Sequence, residues 1–293
     1  MPWVFVLIWS TGFIVARYGM RYAPPLGFLS LRFVLSIACF AVWIAWARPA
    51  WPRGPRQALH LCAVGVLMQA GYLGGVWSAV RAGMGAGAVA LLVGLQPVLT
   101  ALWLTRVPAP GVHFGSTGTV TARQWAGLGL GLVGVVLVLW PKLGGGELTR
   151  WNLALALLAL LCITAGTLYQ KRFVRSCDVR TANLLQLSAA LVVTLPLAGL
   201  ETDPVVLHPQ LIAALAWSVL GLTLGGSSLL YLLIQRGAAT EVSSLMYLVP
   251  PCTALLAWAL FDELFTPPML LGLALAAGGV ALVTTRARSE TMP

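Results

Sequence analysis

Charged side chains are scarce in this 293-residue chain. Lysine, arginine, aspartate and glutamate make up 9% of it, whereas a soluble globular domain carries about 25%. Hydrophobic residues account for 59%, and no stretch between the apolar runs is long enough for a separate soluble domain. This composition excludes a soluble globular protein and indicates a polytopic membrane protein.

Carboxylates are the rarest charged groups, and none of the eight lies at the centre of an apolar run. They fall in connecting segments, in the C-terminal tail or at the ends of runs: Glu147, Asp178, Glu201, Asp203, Glu241, Asp262, Glu263 and Glu290. The three histidines also lie near the start of a run or between runs. Proton relays place such groups at mid-membrane depth, so the sequence offers no candidate for one.

The cysteines and the polar residues of the apolar runs indicate neither a metal site nor a catalytic site. The five cysteines are odd in number and show no paired ligand spacing, which argues against a disulfide framework and a zinc site. Catalysis within a membrane would need a Ser/His, His/Asp or Asp-rich metal constellation on facing helices, and we find none. No phosphate-binding loop or cofactor motif occurs. We therefore expect no enzyme activity, no metal and no cofactor.

Long apolar runs are what the sequence does contain. Each is close to the ~20 residues that cross about 30 Å of hydrocarbon as a helix. Ten transmembrane helices are predicted, at residues 3–20, 26–47, 58–80, 86–105, 123–140, 152–172, 180–200, 210–234, 240–260 and 267–285. The expected fold class is an all-α integral membrane protein.

The net charge of +10 is unevenly divided between the two sides that ten spans create. With both termini on one side, that side receives twelve Lys and Arg residues and the other receives five, while Arg32 lies within a span. The positive-inside rule then places the N- and C-termini in the cytoplasm. The basic excess is thus a topology signal, and no nucleic-acid partner is expected.

The chain also repeats itself. A shift of 154 residues aligns Pro97 with Pro251, together with several glycine, basic and aromatic positions, and after the fourth run the offset is 145. Because five spans per copy is an odd number, the second copy would enter the membrane inverted. We expect two inverted five-helix repeats, residues 1–146 and 147–293. Such repeats place a binding site near the bilayer midplane and suit alternating access, although a structural protein could keep the duplication as a relic.

Three segments resemble a known family: IWSTGFIVARYG in the first span, the arginine of LSLRF in the second, and FDELFTPPMLLGLALAAGGVALV at the end. They are similar to the EamA family of the drug/metabolite transporter superfamily, over essentially the whole chain. The resemblance implies a bacterial inner-membrane protein with helices 1, 3, 4, 6, 8 and 9 around a central cavity. Several relatives export amino acids, including aromatic amino-acid exporters of the YddG type. The family's acidic residue after the fourth helix of each repeat occurs here only in the second copy, as Asp262–Glu263.

Polar and aromatic side chains deep within spans are the expected lining of such a cavity, because a polar group facing lipid is costly. The candidate substrate-binding residues are Trp9, Ser10, Thr11, Gln69, Tyr72, Trp77, Ser78, Gln96, Thr100, Trp103, Thr164, Tyr169, Ser227, Tyr231, Ser244 and Tyr247. The alternative for each serine or threonine is a hydrogen bond to a carbonyl of its own helix.

Prolines interrupt the fourth and ninth spans at matching places, Pro97 and the pair Pro250–Pro251. Proline lacks an amide proton and frees a carbonyl one turn back, which in hydrocarbon needs a polar partner or a water-lined cavity. Breaks at matched positions of two repeats are expected beside a binding site. The alternative is a simple packing kink.

Arg32 is the one charge clearly inside a span, roughly 9 Å from its start at 1.5 Å per residue. By the expected topology it lies on the same side of the membrane as Glu263. We expect these two residues to pair across the repeats as an outer gate. The alternative is an arginine that snorkels to the interface.

These features favour export of amino acids or similar metabolites by alternating access, driven by the substrate's own gradient because no buried carboxylate is available. Aromatic, hydroxyl and amide groups suit small apolar or zwitterionic solutes better than phosphorylated sugars, which would call for buried Lys or Arg. The alternatives are export of aromatic or cationic toxic compounds, and a non-transporting membrane scaffold. The expected partners are a small-molecule substrate and the lipid bilayer, with the chain a monomer or a homodimer.

Overall fold

The computed structural model describes residues 2–96, 99–100, 103, 122–143, 148–226, 229, 249–261 and 267–284. Ten helical segments lie within these residues: α1 Pro2–Gly19, α2 Pro25–Ala47, α3 Pro55–Arg81, α4 Ala86–Val93, α5 Ala122–Leu143, α6 Arg150–Phe173, α7 Val179–Ala198, α8 Pro209–Gly225, α9 Val249–Phe261 and α10 Pro267–Thr284. Each overlaps one predicted span, and the prediction of an all-helical fold is confirmed.

Four of the described helices are long and apolar enough to cross a membrane. These are α2, α3, α6 and α7, with 23, 27, 24 and 20 residues. At 1.5 Å per residue they measure roughly 30 to 40 Å, which matches the hydrocarbon thickness of a bilayer. Their outward faces expose large apolar side chains, among them Val42, Leu161 and Val192. Exposed apolar surface on this scale is typical of helices that contact lipid.

Local sequence signals account for where several helices begin. Pro25, Pro55 and Pro209 open α2, α3 and α8. Proline suits this position because its φ is already helical and its missing amide would have no partner there. A capping box opens α6, where Thr149 Oγ1 accepts from the Asn152 amide at 3.1 Å and the Asn152 side chain accepts from the Thr149 amide at 2.9 Å.

Two helices contain π-helical stretches, Val66–Gly71 in α3 and Trp217–Gly225 in α8. Hydrogen bonds from i to i+5 are rare and concentrate at functional sites. They rotate the faces of a helix relative to a regular α-helix, so side chains beyond the stretch point in new directions. Gln69 and Thr223, one from each stretch, lie in the wall of a central cavity.

The packing brings together helices that are distant in sequence. α2 packs along α7, α4 against α9, and α5 against α10. α1 contacts α8 and α9, and α6 contacts α3 and α4. Glycines permit the closest approaches: a Cβ at Gly65 of α3 would overlap the backbone of Gln186 in α7, and one at Gly279 of α10 would overlap the backbone of Gly127 in α5.

Candidate functional site

A central cavity of about 130 Å³ lies between α1, α2, α3, α6, α7 and α8. Most of its wall is aromatic or aliphatic, and its polar side chains are Arg32, Gln69, Tyr72, Asn183 and Thr223. A pocket with an apolar wall and a few polar groups is the usual form of a small-molecule site. A cavity of this volume is larger than one water needs, so it has room for a small solute.

Aromatic rings from α1 and α3 form much of the cavity wall. Trp9 comes from α1, whereas Tyr72 and Trp77 come from α3. The Trp77 side chain is 1% exposed and packs on Phe28 of α2 with the ring centroids 4.5 Å apart. This packing holds the ring in place, so the aromatic wall is built before a ligand arrives.

Arg32 reaches the cavity from α2 and is only 7% exposed. Its Nε and Nη2 donate to the hydroxyl oxygen of Thr223 in α8, at 3.2 and 3.1 Å. The Thr223 hydroxyl in turn donates to the carbonyl of Ser218 at 2.8 Å. Among the described residues, the hydrogen-bond partner of the guanidinium is therefore a neutral hydroxyl and not a carboxylate.

The described carboxylates lie at the two ends of the bundle. Asp203 pairs with Arg81, which also donates to a backbone carbonyl of the α1–α2 connection. Glu201 accepts from the amides of Leu26 and Gly27 at 3.0 and 2.8 Å, and so caps the start of α2 from a distant part of the chain.

At the other end, Asp178 lies before α7 and forms an ion pair of 2.8 Å with Arg180. The hydrogen bond from Arg180 holds the pKa of the Asp178 carboxyl below its usual range, and the electrostatic attraction acts in the same direction. Gln57 of α3 exchanges hydrogen bonds with the backbone of Arg175, at 2.9 and 3.3 Å. Both ends of the bundle are thus tied across the two halves of the chain.

Four of the predicted binding residues line the central cavity: Trp9, Gln69, Tyr72 and Trp77. Arg32, predicted as half of a gate, lies in the cavity wall as well. Its proposed partner Glu263 is outside the described residues, as are five other candidates: Pro97, Ser227, Tyr231, Ser244 and Tyr247.

Three hydroxyl candidates make hydrogen bonds within their own helices. Ser10 donates to the Val6 carbonyl at 2.8 Å, and Thr164 donates to the Leu160 carbonyl at 2.7 Å, so both follow the alternative considered for such residues. Thr11 donates to a carbonyl of α1 and accepts from the indole of Trp217 at 2.8 Å. It lines a second cleft, between α1 and α8, and not the central cavity.

The remaining candidates lie away from the central cavity. Gln96 donates to the hydroxyls of Thr100 and Thr167, at 3.3 and 3.2 Å, and so joins the segment after α4 to α6. The Tyr169 hydroxyl is 2.9 Å from a ring nitrogen of His60 near the start of α3. Trp103 is 56% exposed. Ser78, on α3, is half-buried outside the cavity wall.

Two of the predicted helix-breaking prolines, Pro250 and Pro251, lie in the helical segment Val249–Phe261, and the residues just before Val249 are outside the described ranges. The predicted helix break at this pair therefore stays a prediction. A break does occur in the fourth span, where α4 ends at Val93 and a turn follows at Gly94. A Cβ at Gly94 would lie 3.0 Å from the Pro250 ring, so this break packs on Pro250 of α9.

The described lining also includes residues that the sequence did not single out. Asn183 and Thr223 are short polar residues without distinctive spacing, and Phe13, Ile163 and Leu222 cannot be told from ordinary core residues by composition. The cavity takes lining from α2 and α7, which the resemblance did not assign to it, and none of its described lining comes from α4 or α9. No group of three or more His, Cys, Asp or Glu in the described residues could hold a metal ion.

The chain is similar to transporters along nearly its whole length. The model of the EamA-like transporter family matches it twice, at residues 3–140 and 150–285. A probable amino-acid metabolite efflux pump of Salmonella typhimurium is 25% identical over 290 residues, with 94% of this chain and 90% of the relative covered. The Escherichia coli protein of the same description is 25% identical over 285 residues, with the same coverage.

Two further comparisons extend this result. An uncharacterized inner membrane transporter of Escherichia coli, YedA, is 25% identical over 285 residues, covering 95% of this chain and 87% of the relative. The fold is similar to that of a solved structure described only as a crystal structure of protein. The TM-score of the superposition is 0.63, the sequence identity is 20%, and 98% of this chain and 97% of the other chain are covered. Together with the apolar helices, the family match describes a multi-pass membrane protein that transports and does not catalyse. The resemblance seen in the sequence is confirmed, and the chain belongs to the EamA-like transporter family.

Proposed function

We propose that this protein exports amino acids or related small metabolites across the bacterial inner membrane, by alternating access through the central cavity. The observation that carries this proposal is the cavity itself, because its wall combines helices from both halves of the chain with aromatic faces and a few polar groups. Two relatives of this chain are described as probable amino-acid metabolite efflux pumps. Both observations favour a solute of amino-acid size and character.

Two inverted repeats, residues 1–146 and 147–293, are part of the proposal. The reciprocal packing supports them: α1 on α8 and α9 corresponds to α6 on α3 and α4 when the halves are exchanged. A shift of 154 residues carries the π-helical stretch Val66–Gly71 onto residues 220–225, which lie inside the second stretch, Trp217–Gly225. The family model also matches each half separately.

Matched contacts at the two ends support alternating access between those halves. Gly27 and Thr181 are equivalent under the same shift, and each follows the start of the second helix of its half. The Gly27 amide donates to Glu201 from the α7–α8 connection. The Thr181 hydroxyl lies 3.3 Å from the Ala50 carbonyl of the α2–α3 connection, and it shares its proton between this acceptor and the Asp178 carbonyl at 3.1 Å. A carrier that opens one end at a time would release these contacts in turn.

The proposed driving force is the gradient of the solute. The described carboxylates, Asp178, Glu201 and Asp203, lie at the ends of the bundle and not in the cavity wall. A proton-coupled carrier would place such a group at mid-membrane depth.

The proposed orientation has both termini in the cytoplasm, and it is supported by the excess of Lys and Arg on that side.

Export of cationic toxic compounds is the competing function. The aromatic wall would suit it, since ring faces attract cations. Arg32 argues against it, because a buried guanidinium in the same cavity repels a cation. We therefore retain amino acids and similar metabolites as the proposed substrates.

Uptake of a radiolabelled amino-acid panel into proteoliposomes tests the proposal, with and without an imposed pH gradient. We expect saturable uptake of some members that does not depend on the pH gradient. Uptake only with the gradient would overturn the facilitated mechanism. Uptake of a cationic dye but of no amino acid would replace the proposed substrates by the competing class.

A further inference from the structure

We propose that Arg32 binds the carboxylate of the transported solute, so that the cavity selects small solutes that join a carboxylate to an apolar or aromatic part. This inference rests on the proposed transport function. It adds the chemical class of the solute and names the group that recognises it. The residue lies on α2, outside the set of helices that the family resemblance implies around the cavity.

The first support is that most N–H donors of the Arg32 guanidinium have no hydrogen-bond acceptor among the described residues. A guanidinium carries five N–H donors in a planar fork. Two of its nitrogens donate to the single hydroxyl oxygen of Thr223, and the described residues provide no other hydrogen-bond acceptor for it. Since the side chain is 7% exposed and lines the cavity, a bound solute is the natural partner for the remaining donors.

The second support is charge. A buried ion is costly unless it is paired, and a neutral hydroxyl does not compensate a full positive charge. The described carboxylates are engaged elsewhere, at the two ends of the bundle. A planar carboxylate matches the guanidinium with two parallel hydrogen bonds, an arrangement that a lysine cannot reproduce. The cavity is therefore complementary to an anion, and a carboxylate fits its geometry best.

The third support is the rest of the wall, which fits the remainder of an amino acid. Trp9, Phe13 and Trp77 present aromatic surface to the same cavity. Gln69 lines it too and makes no hydrogen bond with another described residue, so its amide is available to the solute. A ring face or the Gln69 carbonyl oxygen would receive an ammonium group, which Arg32 would repel. The cavity thus accommodates a zwitterion in one orientation.

Thr223 acts as a positioning residue for this anchor. Its hydroxyl proton is committed to the Ser218 carbonyl, one π-helical turn earlier, so its lone pairs face Arg32. Ser218 and Thr223 both lie in the π-helical stretch Trp217–Gly225, so the helix backbone fixes the position of the Thr223 hydroxyl. The Nε and Nη2 nitrogens of Arg32 are therefore held against Thr223, and Nη1 makes no hydrogen bond with a described residue.

The test measures equilibrium binding of four probes to the purified full-length protein in detergent. Phenylalanine and 3-phenylpropionate carry a carboxylate, whereas phenylalaninamide and phenethylamine have the same ring and no carboxylate. We expect the two carboxylates to bind roughly 10- to 100-fold more tightly, the factor for loss of a charge-assisted hydrogen bond. This comparison needs no variant, so it does not depend on whether a substituted protein folds.

Variants then assign the effect to one side chain. Arg32→Gln should weaken binding of phenylalanine by a similar factor. It should not weaken binding of phenylalaninamide, because it also removes a charge that repels the ammonium group. Arg32→Lys should restore part of the preference. Arg53→Gln removes a positive charge from an exposed connection and serves as the control, with binding as in the wild type. Equal loss for the acid and the amide in Arg32→Gln would show that Arg32 is structural and would overturn the anchor.

The outcomes separate this inference from the proposed function. If the wild-type protein transports phenylalanine but binds the acid and the amide equally, the anchor is wrong and the transport proposal stands. If it prefers carboxylates through Arg32 but moves no amino acid across proteoliposomes, the anchor stands and the proposed function fails. Absence of binding for all four probes would overturn the anchor.

Discussion

Arg32 in α2 and Thr223 in α8 meet in the cavity wall, where two guanidinium nitrogens lie 3.2 and 3.1 Å from one hydroxyl oxygen. The contact joins the first half of the chain to the second. Thr223 is a neutral partner for the buried Arg32 guanidinium and does not compensate its positive charge. In the proposed mode of binding, the carboxylate of the solute provides this compensation.

Replacing Thr223 by Val removes this acceptor at almost constant shape. The guanidinium then loses its described hydrogen-bond partner, so we expect a loss of about 1–3 kcal/mol in the free energy of unfolding. The preference for phenylalanine over phenylalaninamide should also fall, because the anchor is no longer held in one direction. Thr223→Ser keeps the hydroxyl and is the matched control. A Thr223→Val protein with wild-type stability and preference would contradict the role of this contact.

Gly65 and Gly74 provide a paired test of helix packing within α3. A Cβ at Gly65 would overlap the backbone of Gln186, whereas one at Gly74 would meet only a side-chain carbon of Leu26 at 3.5 Å. Gly65→Ala should therefore destabilise the protein by about 1–3 kcal/mol through overpacking of α3 on α7. Gly74→Ala should be neutral or stabilising, since alanine favours the helix. Thermal unfolding in detergent measures both, and equal effects would contradict the described approach.

Glu201 and Asp203 are neighbours with different expected contributions. The Glu201 carboxylate caps two amides of α2, where Pro24 provides no side-chain cap. We expect Glu201→Ala to cost about 1 kcal/mol of stability. The Arg81–Asp203 pair is largely exposed, with side chains 41% and 55% accessible, so Asp203→Ala should cost near zero to about 1 kcal/mol. The reverse order in thermal unfolding would show that the cap is unimportant.

Asp178 should make stability depend on pH in the acid range. Its pKa is lowered in the folded protein, chiefly by the Arg180 hydrogen bond. The folded state therefore binds this proton less readily than the unfolded state. The resulting stabilisation is present above the unfolded pKa and is lost as pH falls through the folded pKa.

Asp178→Asn tests this dependence, because Asn also caps a helix but carries no charge. The variant should be less stable than the wild type at neutral pH, and the difference should shrink as pH is lowered toward about 2. Unfolding midpoints across this range measure the effect. A difference that stays constant with pH would assign the loss to the cap geometry and not to the ion pair.

The helices were predictable from sequence because a membrane span must be long, apolar and closed in its backbone hydrogen bonds. The run at 26–47 corresponds to α2, Pro25–Ala47, and the run at 180–200 to α7, Val179–Ala198. The ends of these two helices differ from the predicted ends by at most two residues.

The site was only partly predictable. Tyr72 and Gln69 were identified because polar groups in mid-span seldom face lipid, and they line the cavity. Ser10 is also a polar residue in mid-span, but its hydroxyl donates a hydrogen bond to the Val6 carbonyl of its own helix. The depth of Arg32 along α2 could be read from the sequence, but not the face on which it lies. The π-helical stretch that brings Thr223 to meet it has no recognisable sequence pattern.

Solute counterflow in proteoliposomes tests the central claim most directly, with unlabelled phenylalanine inside and a trace of labelled phenylalanine outside. Three proteins are compared without a pH gradient: wild type, Gly12→Ala and Gly12→Phe. Gly12 lines the cavity, and a Cβ there meets Leu222 at an ordinary 3.8 Å, so alanine fits while phenylalanine fills the space. A transient overshoot of label in the wild type and in Gly12→Ala, abolished in Gly12→Phe, is the predicted result. Overshoot that persists in Gly12→Phe, or none in the wild type, would contradict facilitated alternating access through this cavity.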